Sequence, residues 1–575
     1  MKSAGAAWEL ETVCLGVVFD TYAKRGISMR RLAIAIGLAT LTTLVSTVPA
    51  SAAGWSSSIS VTNQVASSPT TGGGYPVPAG ATAPHLGTCR MGDYNSNHSE
   101  SWLAVKPGTE DLVGSSKFFF EKYSTFYNFH LGAYTMPGGT PSSNAQVTGY
   151  DCVSTGSQDS PPSWTNNTDP NVDFDTRGRV FQATLPFNAY WVNLHPNGAI
   201  GVVYSDDLGR TWTVGNKGNY LSLLPNSTSL SLGDVVDKQW IAVNHVGGPF
   251  RDHVYLMWAV FNGVNTVEVF FSKSIDHGLT FSPAKRITPP SQVGPAVTYV
   301  YPSIDHDGNL FASVASFKAS GSSDAELWVT RSIDDGNTFT WYDTGQRAHG
   351  TPGPDLPNTT FRDGILENFA ASPTYANHVY LTYEDWDGTQ MDVKFTQSTN
   401  GGQTWSAPFV VNDAANSATT DQFQPSVAAG PGGAVAVAFY DRRMACPADK
   451  STRQEDVGRS NFCIDVSVQA FKDSGSGATS VGSNIRASKY TWDPMEPAQH
   501  VGGLGQIPCA SHSDPCLVRA FIGDYFGLAI SDGNIYTLSV STHYPSNVKA
   551  DEGGKVYYQQ QVLATISRSA IASGY

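Results

Sequence analysis

The sequence predicts an all-β repeat protein, a β-propeller of four-stranded blades, with seven blades preferred and six as the runner-up. Three observations predict it. One eight-residue pattern, S-x-D/N-x-G-x-T-W/F, occurs four times, beginning at Ser205, Ser274, Ser332 and Ser398. Successive copies start 69, 58 and 66 residues apart, a module size that suits a four-stranded blade with extended loops. Between the copies, short β-type runs alternate with turn residues, and no amphipathic helix of useful length interrupts them.

Each position of the pattern has a physical reason. The acid or amide (Asp207, Asp276, Asp334, Asn400) can accept hydrogen bonds from backbone N–H groups a few residues on, which fixes a turn. Gly209, Gly278, Gly336 and Gly402 permit a positive φ. The Thr and the aromatic re-enter a strand, and the ring supplies a face to bury.

Further register places the blades. His253-Val254-Tyr255-Leu256 and His378-Val379-Tyr380-Leu381 precede their turns by 21 and 20 residues, which marks equivalent strands in two modules. Aligned this way, seven inner strands begin near Glu100, Val172, Asp237, Tyr301, Arg362, Phe423 and Gly523. Asp307-Gly308-Asn309, Gly432-Gly433 and Asp532-Gly533-Asn534 read as hairpin turns behind three of them. Asp305-His306-Asp307-Gly308-Asn309 also matches a fragment of a calcium loop, but it lacks the later ligands and the terminal Glu, so the hairpin is preferred.

Composition narrows the class. The chain has 575 residues, 40% hydrophobic and 15% charged, with 56 Gly and a net charge of -14. That is a turn-rich globular chain with ample length for a large core. No basic stripe appears, so nucleic acid is not an expected partner.

Residues 1–52 read as an upstream extension followed by a secretory signal. Arg30 and Arg31 precede a mostly apolar run from Leu32 to Val48, and Ala50-Ser51-Ala52 is an A-x-A-like cleavage site. The signal reading makes Met29 the expected start, which amino-terminal sequencing of the secreted protein would test. The expected location is therefore extracellular, with no membrane association after cleavage. Residues 53–95, rich in Ser, Thr, Gly and Pro, read as a linker or loosely attached arm, and 96–575 as one propeller domain. Export makes disulfides plausible among Cys89, Cys152, Cys446, Cys463, Cys509 and Cys516, which allow 15 connectivities. Loop length favours Cys446–Cys463 and Cys509–Cys516, leaving Cys89–Cys152. No C-x-x-C or paired-His motif points to a metal, and no cofactor is expected. A closed propeller has no long free edge, so a monomer is expected.

The repeated turn resembles the Asp-box, or BNR repeat, of the sialidase superfamily, with Asn400 replacing Asp in the fourth copy. The resemblance implies a propeller in which the boxes join the two outer strands of a blade and play a structural role. They then lie away from the mouth where inner strands start and second strands end. Mouth candidates are Glu100, Asp237, Lys238, Tyr301, Arg362, Asp363, Asp524 and Tyr525 at inner-strand starts. At second-strand ends they are Glu384-Asp385 and Tyr440-Asp441-Arg442-Arg443, with Arg519 just before the seventh inner strand.

A sialidase-type site implies three arginines for the substrate carboxylate, a Tyr nucleophile with a Glu partner, and an Asp acid/base. The family's F/Y-R-I-P motif is absent, and Gln424 stands where its arginine would be. The substitute set is Arg362, Arg442 and Arg519, with Tyr525 or Tyr440 as nucleophile, Glu384 as partner and Asp363 or Asp441 as acid; Asp237, Tyr301 and Asp524 complete the substrate-binding set. Two functions follow as expectations. One is a secreted exo-glycosidase of sialidase type acting on extracellular glycans. The other is a non-catalytic glycan- or protein-binding propeller, in which the same charges serve as salt bridges between blades.

Overall fold

The computed structural model describes residues 54–67 except 57, 98–119, 129–147, 166–188, 197–224, 234–262, 266–289, 296–317, 324–351, 356, 363, 367–413, 420–444, 463–492, 494, 522–544 and 559–575. The chain forms a seven-bladed β-propeller, each blade four antiparallel strands deep. Blade 1 runs outward through His98–Val105, Leu112–Phe119, Phe129–Met136 and Ser143–Gln146. In blade 2 the inner strand is split into Asn166–Thr168 and Asp173–Phe174, followed by Val180–Asn188 and Asn197–Ser205 and a split outer edge. The inner strands of blades 3 to 7 are Asp234–Val243, Ala296–Ile304, Glu367–Ala371, Gln422–Ala429 and Gly527–Ile530. These inner strands lie side by side around the axis, and that of blade 7 closes against that of blade 1.

The core is divided among the seams between blades. Seven apolar clusters are present among the described residues, and each fills mainly one seam. Phe395 of blade 5 stacks on Phe471 of blade 6 at 4.7 Å, and Tyr440 of blade 6 meets Phe526 of blade 7 at 4.7 Å. The outer strands of blades 3 and 5, Lys285–Arg286 and Phe409–Val410, are short and leave little edge to recruit another strand, whereas those of blades 4 and 6, Thr340–His349 and Ala478–Arg486, are long.

Because strands alternate in direction, the turn after each third strand lies on the face opposite the inner-strand starts. All four S-x-D/N-x-G-x-T-W/F turns occupy that position. In the first, Gly209 N–H donates to Ser205 Oγ (2.9 Å), and Asp207 accepts from the Thr211 N–H and hydroxyl at 2.8 and 2.7 Å. The residue before the glycine is also left-handed: Leu208, His277, Asp335 and Gly401 have φ between 58° and 72°. Asn400 keeps the geometry by accepting from Thr404 N–H and donating to Thr404 Oγ1. A Cβ on Gly278 (φ 78°) would stand 2.5 Å from Phe181 of the preceding blade. Gly278→Ala should therefore lower the unfolding free energy by about 2 kcal/mol or more, from φ strain plus overpacking, read by urea denaturation. An unchanged midpoint would contradict this seam packing.

The H-V-Y-L strands have a seam role. His253 Nδ1 and Tyr255 OH meet the Asp335 carboxylate of the next blade at 2.9 and 2.6 Å. His378 and Tyr380 do the same to Asp473, each at 2.6 Å. Residues two apart share one face of a strand, so each word presents a paired clamp. Asp305 Oδ1 accepts from the N–H groups of Asp307 and Asn309 at 3.0 and 2.9 Å, the hairpin expected for that stretch.

One boundary differs from the sequence reading. The stretch 53–95 was expected to be a linker or arm, yet Val61–Val65 is the outermost strand of blade 7, paired with Gln560–Ser567. Trp55 is fixed too. Its Nε1–H donates to Ser467 Oγ (2.7 Å), and the guanidinium groups of Arg443 and Arg486 lie 4.8 and 5.0 Å from its ring centre. Composition hid this strand, because its pairing partner lies some five hundred residues away. Cys463 is disulfide-bonded, and its partner and the other cysteines of the expected framework lie outside the described residues. No helix among the described residues is long and apolar enough to cross a membrane.

Candidate functional site

The face opposite the repeated turns is where second and fourth strands end and first and third strands begin, so Met444, Cys463, Arg486 and Gly527 all lie at it.

At this end six of the seven inner strands carry or follow the same irregularity. Glu100, Asp169, Lys238, Tyr299 and Gln424 have φ of 44°, 57°, 52°, 58° and 46°, and Gly523 has 105°. Register shifts lie at Ser99/Ser101, Asp237/Trp240, Thr298/Tyr301 and Phe423/Ser426. One left-handed residue per blade, in six of the seven blades, marks a repeated bulge around the axis. Such backbone costs energy in a non-glycine residue, so its recurrence at one end points to a constrained site. The bulges touch in sequence: Gln424 Nε2–H donates to Gly523 O (2.7 Å), and a Cβ on Gly523 would collide with the backbone of Glu100.

Two residues beyond the bulge, the strands converge on the axis. Trp102, Trp240, Tyr301 and Tyr525 come from blades 1, 3, 4 and 7. Trp240 packs edge-on against the other three rings at 4.7, 4.8 and 5.0 Å. This aromatic plug fills the centre, and the bulge residues lie around it on the mouth side.

Those residues form a buried charge cluster. Lys238 Nζ lies 3.1 Å from Asp524 Oδ2 and 5.2 Å from the centre of the Tyr299 ring. Lys117 Nζ lies 2.9 Å from Glu100 Oε2. The Asp169 carboxylate lies close enough to act on Asp237, and Asp237 Oδ1 accepts the Lys238 N–H (2.9 Å). Burial and the neighbouring Asp169 charge push the Asp237 carboxyl up to about 7. Burial likewise raises Glu100 and Glu367. Burial alone would lower the Lys238 ammonium, but Asp524, Asp169 and Asp237 outweigh it and hold it well above its ordinary value. Burial raises the Tyr525 phenol, and its hydroxyl has no hydrogen-bond partner among the described residues. Among the described residues no group of three or more His, Cys, Asp or Glu is arranged to hold a metal ion.

The candidates from the sequence separate into two groups. Asp237, Tyr301, Asp524 and Tyr525 meet at the axis, with Glu100 and Lys238. The other described candidates are committed to partners away from the axis. Arg442, fully buried, reaches Asp421 (Nη1 to Oδ2 3.3 Å), and burial lowers its guanidinium to about 10. Asp363 lies near that pair. Asp441 accepts from Gln422, Arg443 and Ser467 within blade 6. Tyr440 is sealed between blades 6 and 7, its oxygen accepting the Val540 N–H at 3.2 Å. Glu384 Oε2 accepts the N–H of Gln424 (2.7 Å) and so braces the next blade's bulge. Arg362 and Arg519 lie outside the described residues. Glu384 is thus a brace between blades 5 and 6, whereas Asp441 and Arg442 are held by partners on or beside the strands of blade 6 itself.

Sequence reasoning missed Lys117, Asp169, Tyr299 and Glu367. The signal for two of them was present. Glu100, Lys238 and Tyr299 each precede an axial aromatic by two residues, and Asp169 precedes Asn171 in the same register.

No protein-family model matches the chain, and no curated protein matches it. Among solved structures it is similar to polysaccharide lyase Uly1, with 9% identity over 88% of this chain and 99% of that one and a TM-score of 0.41. It is similar to a protein of unknown function from Dyadobacter fermentans, with 13% identity, coverage of 63% and 92% and a TM-score of 0.40. It is also similar to the Hadza microbial sialidase Hz136, with 13% identity, coverage of 80% and 77% and a TM-score of 0.38.

Proposed function

We propose that the protein is a secreted, glycan-directed enzyme whose proton-transfer group is the Asp169–Asp237 carboxyl pair. The single observation that carries this reading is the closeness of these two buried carboxyls, with Asp237 raised to about 7 by burial and the Asp169 charge. A carboxyl that keeps its proton near neutral pH is what general acid catalysis needs. Trp102, the one ring of the axial plug that is not buried, supplies a face for a sugar ring, and the Tyr525 hydroxyl, without a partner among the described residues, lies beneath it in the plug. The export signal read at 29–53 supports an extracellular glycan as substrate, and closure of the ring of blades supports a monomer as the working form.

The exo-sialidase form of this reading needs guanidinium groups for the substrate carboxylate. Arg442 is already committed to Asp421, so that form rests on Arg362 and Arg519, with Lys238 and Lys117 as the axial cations. The second reading is a non-catalytic glycan-binding propeller. It is favoured by the complete burial of Arg442 and by the pairing of Glu100 and Asp524 with lysines.

Turnover of a fluorogenic sialoside, a panel of aryl glycosides and acidic polysaccharides separates the two. Asp237→Asn should lower kcat about 100-fold or more with far-UV circular dichroism unchanged. Unchanged turnover in that variant would remove the pair from the mechanism. A panel with no turnover by the natural protein would leave the binding reading.

A further inference from the structure

Away from the axis, on the same face, three rings form a shelf at the seam between blades 6 and 7. Tyr490 follows the outer strand of blade 6, Ala478–Arg486. Its ring lies over that of His543 with centres 3.8 Å apart and planes 18° from parallel. Tyr544 meets Tyr490 and His543 edge-on at 5.9 and 5.4 Å. His543 and Tyr544 follow the second strand of blade 7, Asn534–Ser541. Each strand runs toward the mouth, so the shelf faces the same side as the axial carboxyls.

The shelf is exposed but held in place. Tyr490 keeps 38% of its surface open. The backbone on either side of it is pinned: Lys489 N–H donates to Asn63 Oδ1 (2.6 Å), and Trp492 exchanges two backbone hydrogen bonds with Ile464 at 2.9 and 3.0 Å. The Lys489 ammonium stands 5.4 Å from the Tyr490 ring centre. A fixed ring offers contact area at little entropic cost, and its π face attracts the polarised C–H groups of a pyranose. An ammonium at the rim adds attraction for an anionic substituent and acts on selectivity more than on affinity.

We propose that Tyr490, backed by His543 and Tyr544, is a subsite that stacks a pyranose unit bearing a carboxylate or sulfate, with Lys489 reading the charge. The inference rests on the glycan reading above and deepens it, since the shelf would hold a unit of the chain remote from the axial site.

Affinity electrophoresis tests it with native gels containing polygalacturonate, alginate, chondroitin sulfate or neutral dextran. The protein should be retarded by at least one acidic gel and not by dextran. Tyr490→Ala should weaken that retardation about three- to tenfold with an unchanged melting temperature, and Tyr490→Phe should keep it. Lys489→Met should remove the preference for acidic gels. Asp237→Asn should be retarded as the natural protein is, because the shelf takes no part in proton transfer. Tyr490-dependent retardation with a blank turnover panel sinks the enzymatic reading and leaves the shelf standing. Migration of Tyr490→Ala equal to the natural protein, equal retardation by dextran, or no retardation in any of the four gels overturns the proposal.

Discussion

A chain lacking residues 54–67 should fail to keep a closed propeller. Those residues supply the fourth strand of blade 7, and among the described residues no other strand covers the outer edge of Gln560–Ser567. The loss includes five paired residues, Ile59 and Val61 packed on the blade 6/7 core, and the Trp55 clamp between two guanidinium groups. Ser67 Oγ–H donates to Gln560 Oε1 (2.9 Å), so the far end of the strand is tied as well. The expected cost consumes most of the roughly 5–15 kcal/mol by which a folded domain exceeds its unfolded chain. Thermal melting should show a lowered, broadened transition. A synthetic peptide of residues 54–67 should restore it in a concentration-dependent way, since strand addition to an open edge follows mass action. A truncated chain that melts like the full one would show that the edge closes without this strand.

The second large effect is expected from Lys238→Met. Lys238 is the cation shared by Asp524, Asp169 and Asp237, and all four residues are buried. Removing one partner of a buried ion pair leaves uncompensated charge and costs about 3–5 kcal/mol. The cost should depend on pH. Asp237, Glu100 and Glu367 are raised in the folded state, so each prefers its neutral form there. Stability from such groups is fully present below the ordinary carboxyl range and is lost as pH rises through the folded value, about 7 for Asp237. Burial raises Asp207, Asp276 and Asp334 in the repeated turns, but their hydrogen bonds outweigh it and leave them lowered. Their stability is present above the ordinary range and is lost as pH falls through the lowered value.

The natural protein should therefore be most stable in mild acid, near the top of the ordinary carboxyl range, and should weaken toward pH 8. Without Lys238 the axial carboxyls should rise further, so the decline from pH 5 to 8 should steepen. Chemical denaturation at a series of pH values reads both statements. A flat profile in the natural protein, or parallel profiles in the two proteins, would contradict the charge arrangement at the axis.

The fold was legible in the sequence because its signals are local. Ser205, Asp207, Gly209, Thr211 and Trp212 sit within eight residues, and the hydrogen bonds among them need nothing from elsewhere in the chain. Four such copies at nearly even spacing leave few architectures that can stack them, and His253/Tyr255 with His378/Tyr380 fixed the register of the strands between. The same reasoning placed Asp237, Tyr301, Asp524 and Tyr525 at the mouth, because inner strands must start at one face.

What the tertiary structure alone decided is which way each mouth side chain points and which distant partner it meets. Arg442 and Asp237 occupy comparable ends of strands, yet one faces Asp421 away from the axis and the other faces Asp169 at the axis. A register shift at the bulge decides that, and a bulge leaves no mark in composition. Val61–Val65 gave no signal either, since an outer strand is specified by the edge it completes, and that edge is made by the other end of the chain. Local hydrogen bonding wrote the blades into the sequence, while closure of the ring and the pairing of buried charges became visible only once residues hundreds of positions apart were brought together.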